Sequence, residues 1–232
     1  MPECHSTNAE ALKVLQLNPK VSEGTVIITS NQTAGRGQRG NTWESEAGKN
    51  LTFSLILKPS FLHPKDQFKL NIAVSLALHD YLTTQVSDVK VKWPNDMMLG
   101  NQKTCGMLIE NQITGQQLLS SVVGIGLNMN QQNFQMDTAT SLSLRSGEEY
   151  DLNQALADLL QWIEARYLQL RAGVDMMPEY LSSLYGRGET RNFKSGDETF
   201  EGIITGVDHV GLLEVTLSHG KRYFDLKQIQ MI

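Results

Sequence analysis

Four short stretches of the chain combine residue types that could bind and move charge. The first is Gly35-Arg36-Gly37-Gln38-Arg39-Gly40-Asn41-Thr42-Trp43. Its G-x-G-x-x-G spacing fits a dinucleotide fingerprint, but such a loop must open into an amphipathic helix. Residues 41–49 carry no helical apolar stripe and run into a strand pattern. The phosphate-loop spacing is nearly met as well, with Asn41 standing where its lysine is required. What remains is a loop whose glycines let backbone N–H groups approach an anion and whose arginines supply permanent forked donors. A solvated surface loop is the plainer alternative. Trp43 tilts against it, because a large aromatic at the end of a polar loop needs something to pack on.

The other three stretches are equally double-edged. Lys92-Trp93-Pro94-Asn95-Asp96 stops a strand at a proline and presents an amide and a carboxylate at its tip, as a site or as a plain turn. Lys103 stands at the mouth of the apolar run Thr104–Glu110. It could neutralise a carboxylate or phosphate held against Gly106, or simply discourage edge pairing. Cys105 reads as a packing residue, with no histidine near it in sequence to activate the thiol. In Gly124-Ile125-Gly126-Leu127-Asn128, glycines inside an apolar strand imply close approach of backbone or ligand. Asn128 could then read a nucleobase or ribose edge.

Regular elements must hold these stretches in place. Thr7-Asn8-Ala9-Glu10 matches a capping box, with Thr7 as cap and Glu10 reaching back, and Leu12 and Leu15 share one face of the helix it opens. Residues 25–30 and 51–57 read as strands around a long polar loop, 31–50. Residues 68–86 and 152–170 carry i+4 apolar rows and read as helices. Between them, 89–93, 103–110 and 118–127 read as strands, the last two flanking a turn at Thr114-Gly115. A short helix is expected over 178–185. From Gly188 onward short alternating segments punctuated by glycine suggest a small antiparallel barrel of about five strands. The expected domains are therefore 1–186 and 187–232.

Bulk properties bound the function. A hydrophobic fraction of 40% supports a real core, and a net charge of −5 supplies no global field for nucleic acid. No apolar run approaches the ~20 residues of a membrane span. The thiols Cys4 and Cys105 lie far apart, and no signal peptide precedes them, so a cytoplasmic, reducing compartment is expected.

Taken in order, the four stretches resemble the catalytic domain of the biotin–protein ligases. Lys92–Asp96 matches that family's Lys-Trp-Pro-Asn-Asp motif in full, and Ser6-Thr7-Asn8 matches the motif with which its catalytic domains begin. The resemblance implies an α+β fold of the class II synthetase-like kind, a mixed sheet with helices, followed by a small SH3-like β-barrel. It implies an enzyme that activates biotin with ATP as biotinyl-5'-AMP and passes biotin to a lysine of a biotin carboxyl carrier protein. Ser6, Thr7, Asn8 and Gln32 would hold the ureido ring, with Gly35, Gly37, Gln38 and Gly106 along the ligand. Arg36 and Lys103 would bind the biotin carboxylate and the α-phosphate and carry the catalysis. Arg39, Gly40, Trp43, Asn95, Asp96 and Asn128 would hold the nucleotide, with Trp43 on the adenine and Asp96 also a Mg²⁺ ligand. The resemblance leaves a monomer and a homodimer paired through a sheet edge both open.

The chain departs from the family in two respects. Only five residues precede Ser6, so no DNA-binding winged helix is expected and a repressor role is not. Gln38 stands where many members carry a second loop arginine, so the adenylate is expected to escape more readily. Two rival readings are a lipoate–protein ligase, which shares the fold and adenylation chemistry, and a non-catalytic nucleotide- or carrier-binding module. The second must explain why Arg36, Lys103 and Asp96 are all present.

Overall fold

The computed structural model describes residues 1–226 and 228–232, and the side chain of Arg39 also lies outside the described residues. In chain order the strands are Glu3–Cys4 (β1), Thr25–Thr29 (β2), Asn31–Gln32 (β3), Leu51–Leu57 (β4), Val89–Lys92 (β5), Asp96–Leu99 (β6), Gln102–Thr114 (β7) and Gln117–Leu127 (β8). After them come Thr190–Ser195 (β9), Glu198–Val207 (β10), Leu213–Leu217 (β11), Gly220–Phe224 (β12) and Gln230–Met231 (β13). The helices are Thr7–Leu17 (α1), Phe68–Thr83 (α2), Leu142–Ser146 (α3), Leu152–Arg171 (α4) and Met177–Ser183 (α5).

Six strands form one antiparallel sheet in the order β2-β4-β8-β7-β6-β5. Its centre is buried on both faces: every residue of β4 is buried, as are all residues of β8 from Ser120 to Leu127. Strand alternation divides the faces. Phe53, Leu55, Cys105, Met107, Ile125 and Leu127 belong to the large core with α2 and α4 residues such as Leu70, Leu78, Leu159 and Ile163. Ile56 and Val122 cluster instead with Ala11 and Leu15, so α1 lies across the opposite face. Strands β1 and β3 form a short parallel pair, and the last five strands form a second antiparallel sheet, β12-β11-β10-β9-β13. Its Phe193, Ile204, Leu213, Val215 and Phe224 join the same large core. Trp93 Nε1 donates to Gly211 O at 2.9 Å across the junction. The α+β architecture and the strand count of the C-terminal segment thus agree with expectation.

Several boundaries differ, each for a local reason. The capping box does not form. Ser6 is the N-cap and makes no side-chain cap bond, and Thr7 is already helical. The Thr7 N–H goes to Gln32 Oε1 at 2.8 Å, supplied from a distant strand, and Glu10 faces Lys13 at 4.0 Å instead of reaching back. Helix α2 stops at Thr83 rather than Val86, because the Thr83 and Thr84 hydroxyls donate to Asp80 O and Tyr81 O, the carbonyls of the last turn. Helix α5 starts one residue early and stops at Ser183, where Ser182 and Ser183 do the same to Glu179 O and Tyr180 O. Strand β6, the short β1, β3 and β13, and helix α3 had no periodic signal long enough to show in the sequence.

Candidate active site

On the face of the sheet covered at one end by α1, the alternate positions continue from Ile56 to Ser54 and Thr52, from Val122 to Gly124 and Gly126, and from Glu110 to Leu108 and Gly106. Register sets Gly106 directly beside Gly126, and Gly124 between Ser54 and Leu108. The result is a strip of nearly bare backbone at the sheet centre, and two side chains from elsewhere lie on it. A Cβ on Gly124 would fall 2.2 Å from Asn8 Oδ1, and one on Gly126 would fall 2.3 Å from Trp43 Cε2. The close approach expected at these glycines is therefore made by the protein's own side chains.

The N-terminus of α1 brings Ser6, Thr7 and Asn8 to the first part of this strip, where all three are buried. They are bound into one network. Thr7 Oγ1 lies 3.2 Å from Gln32 Oε1 and 2.8 Å from Ser54 Oγ, and Ser54 Oγ lies 2.6 Å from Asn8 Oδ1. Asn8 Nδ2 donates to Leu108 O at 3.2 Å and to Glu110 Oε2 at 2.7 Å. A small pocket of about 50 Å³ opens beside the network, lined by Ser6, Thr7, Asn8 and Gln32 and, farther along, by Arg36, Gly37, Gln38, Trp43, Asn95, Lys103 and Gly106.

The glycine-arginine stretch, expected as a loop, is a tight hairpin. Arg36 pairs with Thr42, the Gly37 N–H donates to Asn41 O at 2.7 Å, and the Trp43 N–H donates to Gly35 O at 3.0 Å. Gly35 is packed so closely that a Cβ would meet Trp43 O at 2.8 Å, and Gly40 turns the hairpin at φ +82°. These two glycines shape the loop and line neither cavity. Arg36, half exposed, reaches across to Glu110 Oε2 at 3.3 Å. Arg39, expected at the nucleotide, has its side chain outside the described residues.

Beyond Trp43 lies a larger cavity of about 600 Å³. Gly37, Gln38, Trp43, Asn95 and Lys103 line both spaces, while Asp96 and Asn128 line the larger one. Lys103 Nζ stands 2.7 Å from Asp96 Oδ1 and 5.5 Å from the centre of the Trp43 ring. The buried Asn95 spends its Nδ2 on Met107 O at 2.6 Å, and Asn128 spends its Nδ2 on Thr140 O at 3.0 Å. Asn128 Oδ1 and Trp43 Nε1 are buried with no hydrogen-bond partner among the described residues. Buried polar atoms are rarely left so. The first is an acceptor beside the larger cavity, and the second a donor seated against Gly126. Cys105 points away from this chemistry: it is fully buried, and burial pushes its thiol pKa well above the ordinary range.

Asp96, the expected Mg²⁺ ligand, faces a cation of the protein's own, Lys103. Among the described residues no group of three or more His, Cys, Asp or Glu side chains could hold a metal ion. Asp96 is neutralised by Lys103, and Glu44, the other carboxylate at the larger cavity, accepts from the Gln135 N–H at 3.3 Å. The residues present do not fit a resident metal.

Sequence reasoning missed Ser54, Glu110 and the far wall of the larger cavity, which includes Phe134, Phe193, Leu213 and Met231. Ser54 was discoverable as one of two polar residues, with Thr52, in an otherwise apolar strand. Glu110 was quoted only as the end of a motif, and the residues of the second sheet carried no signal.

Residues 3–128 match the sequence profile of the Biotin/lipoate A/B protein ligase family. Among curated proteins, the bifunctional ligase/repressor BirA of Bacillus spizizenii is 32% identical over 211 residues, covering 88% of this chain. The chain spans 65% of the length of that relative. The biotin–[acetyl-CoA-carboxylase] ligase of Mycobacterium tuberculosis is 30% identical over 215 residues, covering 90% of this chain and 79% of the relative. Among solved structures, the biotin protein ligase of Aquifex aeolicus in complex with biotin and ATP superposes with a TM-score of 0.82 at 24% identity. That match covers 100% of this chain and 97% of the other, and shows that the two share a fold. Since the profile covers more than half of the chain and the mycobacterial relative aligns over most of both lengths, the chain belongs to the Biotin/lipoate A/B protein ligase family.

Proposed function

We propose that the protein is a biotin–protein ligase, which joins biotin to ATP as biotinyl-5'-AMP and then transfers biotin to a lysine of a biotin carboxyl carrier protein. The observation that carries this reading is the meeting of two unlike spaces at Trp43 and Lys103. One is small and walled by hydrogen-bonding groups. The other, at about 600 Å³, has the size of a nucleotide site. A ligand with a polar ring in the first space would extend its carboxylate toward Lys103, where the α-phosphate of a nucleotide in the second would meet it.

The lining of the small pocket favours a cyclic urea over a dithiolane. Ser6, Thr7 and Asn8 are buried polar residues. A ureido ring offers both donors and an acceptor to such groups, whereas the dithiolane of lipoate offers neither. Room for a bicyclic ring calls for the 35–43 hairpin to move outward, as loops that close over reactive intermediates do.

The chemistry needs two anions brought together. A biotin carboxylate oxygen attacks the α-phosphorus, the bond to the bridging oxygen breaks, and pyrophosphate leaves. Lys103 and Arg36 would exchange Asp96 and Glu110 for these incoming anions and hold the charge that develops on the phosphate. The product is a mixed anhydride, which the closed hairpin shields from water. The carrier lysine, arriving as a free amine, attacks the acyl carbon and AMP leaves with the anhydride oxygen. Enzyme nucleophiles play no part. Mg²⁺ would arrive on the nucleotide's phosphates, and no step is assigned to it. Unpaired thiols at Cys4 and Cys105 agree with a cytoplasmic setting. We also read residues 187–232 as a separate small domain closing the nucleotide side.

The test is ATP–pyrophosphate exchange with biotin and with lipoate in parallel. Biotin alone should support exchange, and Lys103→Ala should lower it by about 10²–10³-fold, as losing a charged donor at an oxyanion does. Exchange with lipoate alone would transfer the assignment to the sister activity, and exchange with neither would leave a binding module.

A further inference from the structure

Glu110 has so far figured only as the partner that Arg36 gives up, yet among the described residues it is the one carboxylate bonded both to the ring network, through Asn8, and to the hairpin arginine. It faces the site from β7, opposite Val122 of β8. Its Oε2 accepts from Asn8 Nδ2 at 2.7 Å and from Arg36 Nη2 at 3.3 Å. The first of these bonds has consequences along the whole network.

A side-chain amide can sit either way round, and its neighbours decide which. Both groups facing Asn8 on one side, Leu108 O and the Glu110 carboxylate, can only accept. The NH₂ must therefore point to them, and Oδ1 must point to Ser54. A hydroxyl has one proton, so Ser54 gives its own to Asn8 Oδ1, 2.6 Å away. Its remaining lone pair then faces Thr7 Oγ1 at 2.8 Å, and the Thr7 proton goes to Ser54 or to Gln32 Oε1. The Glu110 charge, with Leu108 O, thus orients Asn8 and makes Ser54 a donor to it, which leaves Thr7 to donate to Ser54 or to Gln32. Hydrogen-bonding recognition depends on that pattern far more than on the position of the heavy atoms.

We infer that Glu110 is a positioning residue for recognition of the ligand's polar ring, acting through Asn8 and Ser54 on Thr7, and that through Arg36 it ties the ring pocket to the hairpin. The inference rests on the reading of this pocket as a biotin site. A glutamate needed only to finish a strand would act on stability alone. One needed only to hold Arg36 would act on ligands that carry a carboxylate.

Those roles are separable in Glu110→Gln. The new side chain has the same shape but no charge, so Asn8 Nδ2 keeps at most a neutral acceptor there while Leu108 O still faces it. Calorimetric titration of the whole chain, without ATP, would use biotin and biotinol, in which the carboxylate is reduced to an alcohol. The expected result is a rise in Kd of about tenfold or more for both ligands, the scale of one lost charge-assisted hydrogen bond. Ser54→Ala breaks the same network without touching Arg36 and should weaken both ligands likewise. The double variant should lose little beyond the larger single effect, because both changes cut one chain. Weakening of biotin alone, or unchanged binding of both ligands by folded Glu110→Gln and Ser54→Ala, overturns the role of Glu110. If wild-type protein binds neither ligand, the biotin reading itself is refuted.

Discussion

Gly126→Ala asks how much of the site depends on one missing methyl group. A Cβ there would lie 2.3, 2.5 and 2.7 Å from Trp43 Cε2, Nε1 and Cζ2. Ordinary contact needs roughly 3.5–4.0 Å between carbon atoms, so the rigid indole must retreat by more than 1 Å or so. Gly126 is held on both sides, by Thr52 of β4 and Gly106 of β7, so the strand does not yield. The hairpin does, because its own bonds join it chiefly to itself. Overpacking of this kind costs about 1–3 kcal/mol. Relieved by hairpin movement, it should lower Tm by only a few degrees. Trp43 and Lys103 border both cavities, and a misplaced wall should lower kcat/KM for biotin-dependent exchange by about 10–100-fold. The control is the same change in Trp43→Ala, where the obstacle is gone. Gly126→Ala should then add almost nothing. Refutation would be an undiminished loss in the Trp43→Ala background, which would mean that Gly126 serves something other than the seat of the indole.

Gln38→Arg restores a charge beside both cavities and should slow release of preformed biotinyl-5'-AMP, followed by stopped-flow fluorescence; unchanged release would remove Gln38 from the account of adenylate retention. In the second sheet, Glu214 Oε1 accepts from Lys221 Nζ at 2.8 Å and from Thr205 Oγ1 at 2.6 Å, which holds its pKa down at about 2. A depressed carboxylate contributes stability that is complete above its unfolded value near 4.5 and is lost as pH falls through that value toward about 2. Glu214→Gln should therefore melt about 2–4 °C lower at pH 7, since an exposed pair is worth about 1 kcal/mol at most, and the gap should narrow at pH 3.5. A gap of the same size at both values would show that charge is not what Glu214 contributes.

Long periodic segments were legible in the sequence because their pattern is also their packing. The rows of Leu70, Val74, Leu78 and of Leu159, Ile163, Leu170 predicted α2 and α4, and those residues are in the large core. The apolar run of β4 gave its bounds, Leu51 to Leu57, residue for residue. Local spacing failed where a distant group intervened. Thr7 and Glu10 have the spacing of a capping box, but Gln32, 25 residues away, takes the Thr7 N–H and lies within reach of its hydroxyl. Glu110 stayed hidden for the same reason: its partners Asn8 and Arg36 are 102 and 74 residues away. The glycines in β8 announced a close approach without saying what approaches. Only the register that aligns Gly124 with Ser54, and Gly126 with Gly106, identifies Asn8 and Trp43 as the side chains that need the space.

In the proposed reading the two cations of the site are held by carboxylates that they can give up. Neither Arg36 nor Lys103 faces the pocket without a counter-charge. Each has a carboxylate of the protein's own, Glu110 at 3.3 Å and Asp96 at 2.7 Å. Both pairs are partly exposed, so each is worth at most about 1 kcal/mol. A tightly buried pair would cost several kcal/mol to break and would hold its cation away from the ligand. A weak pair holds the cation in the right neighbourhood and releases it at little cost. The two carboxylates differ in what else they hold. Asp96 lies at the tip of the β5–β6 turn beside the larger cavity, whereas Glu110 is bonded to Asn8 in the ring network. Losing Arg36 to a ligand would leave Glu110 still bonded to Asn8, so the ring pocket keeps its polarity while the hairpin above it moves.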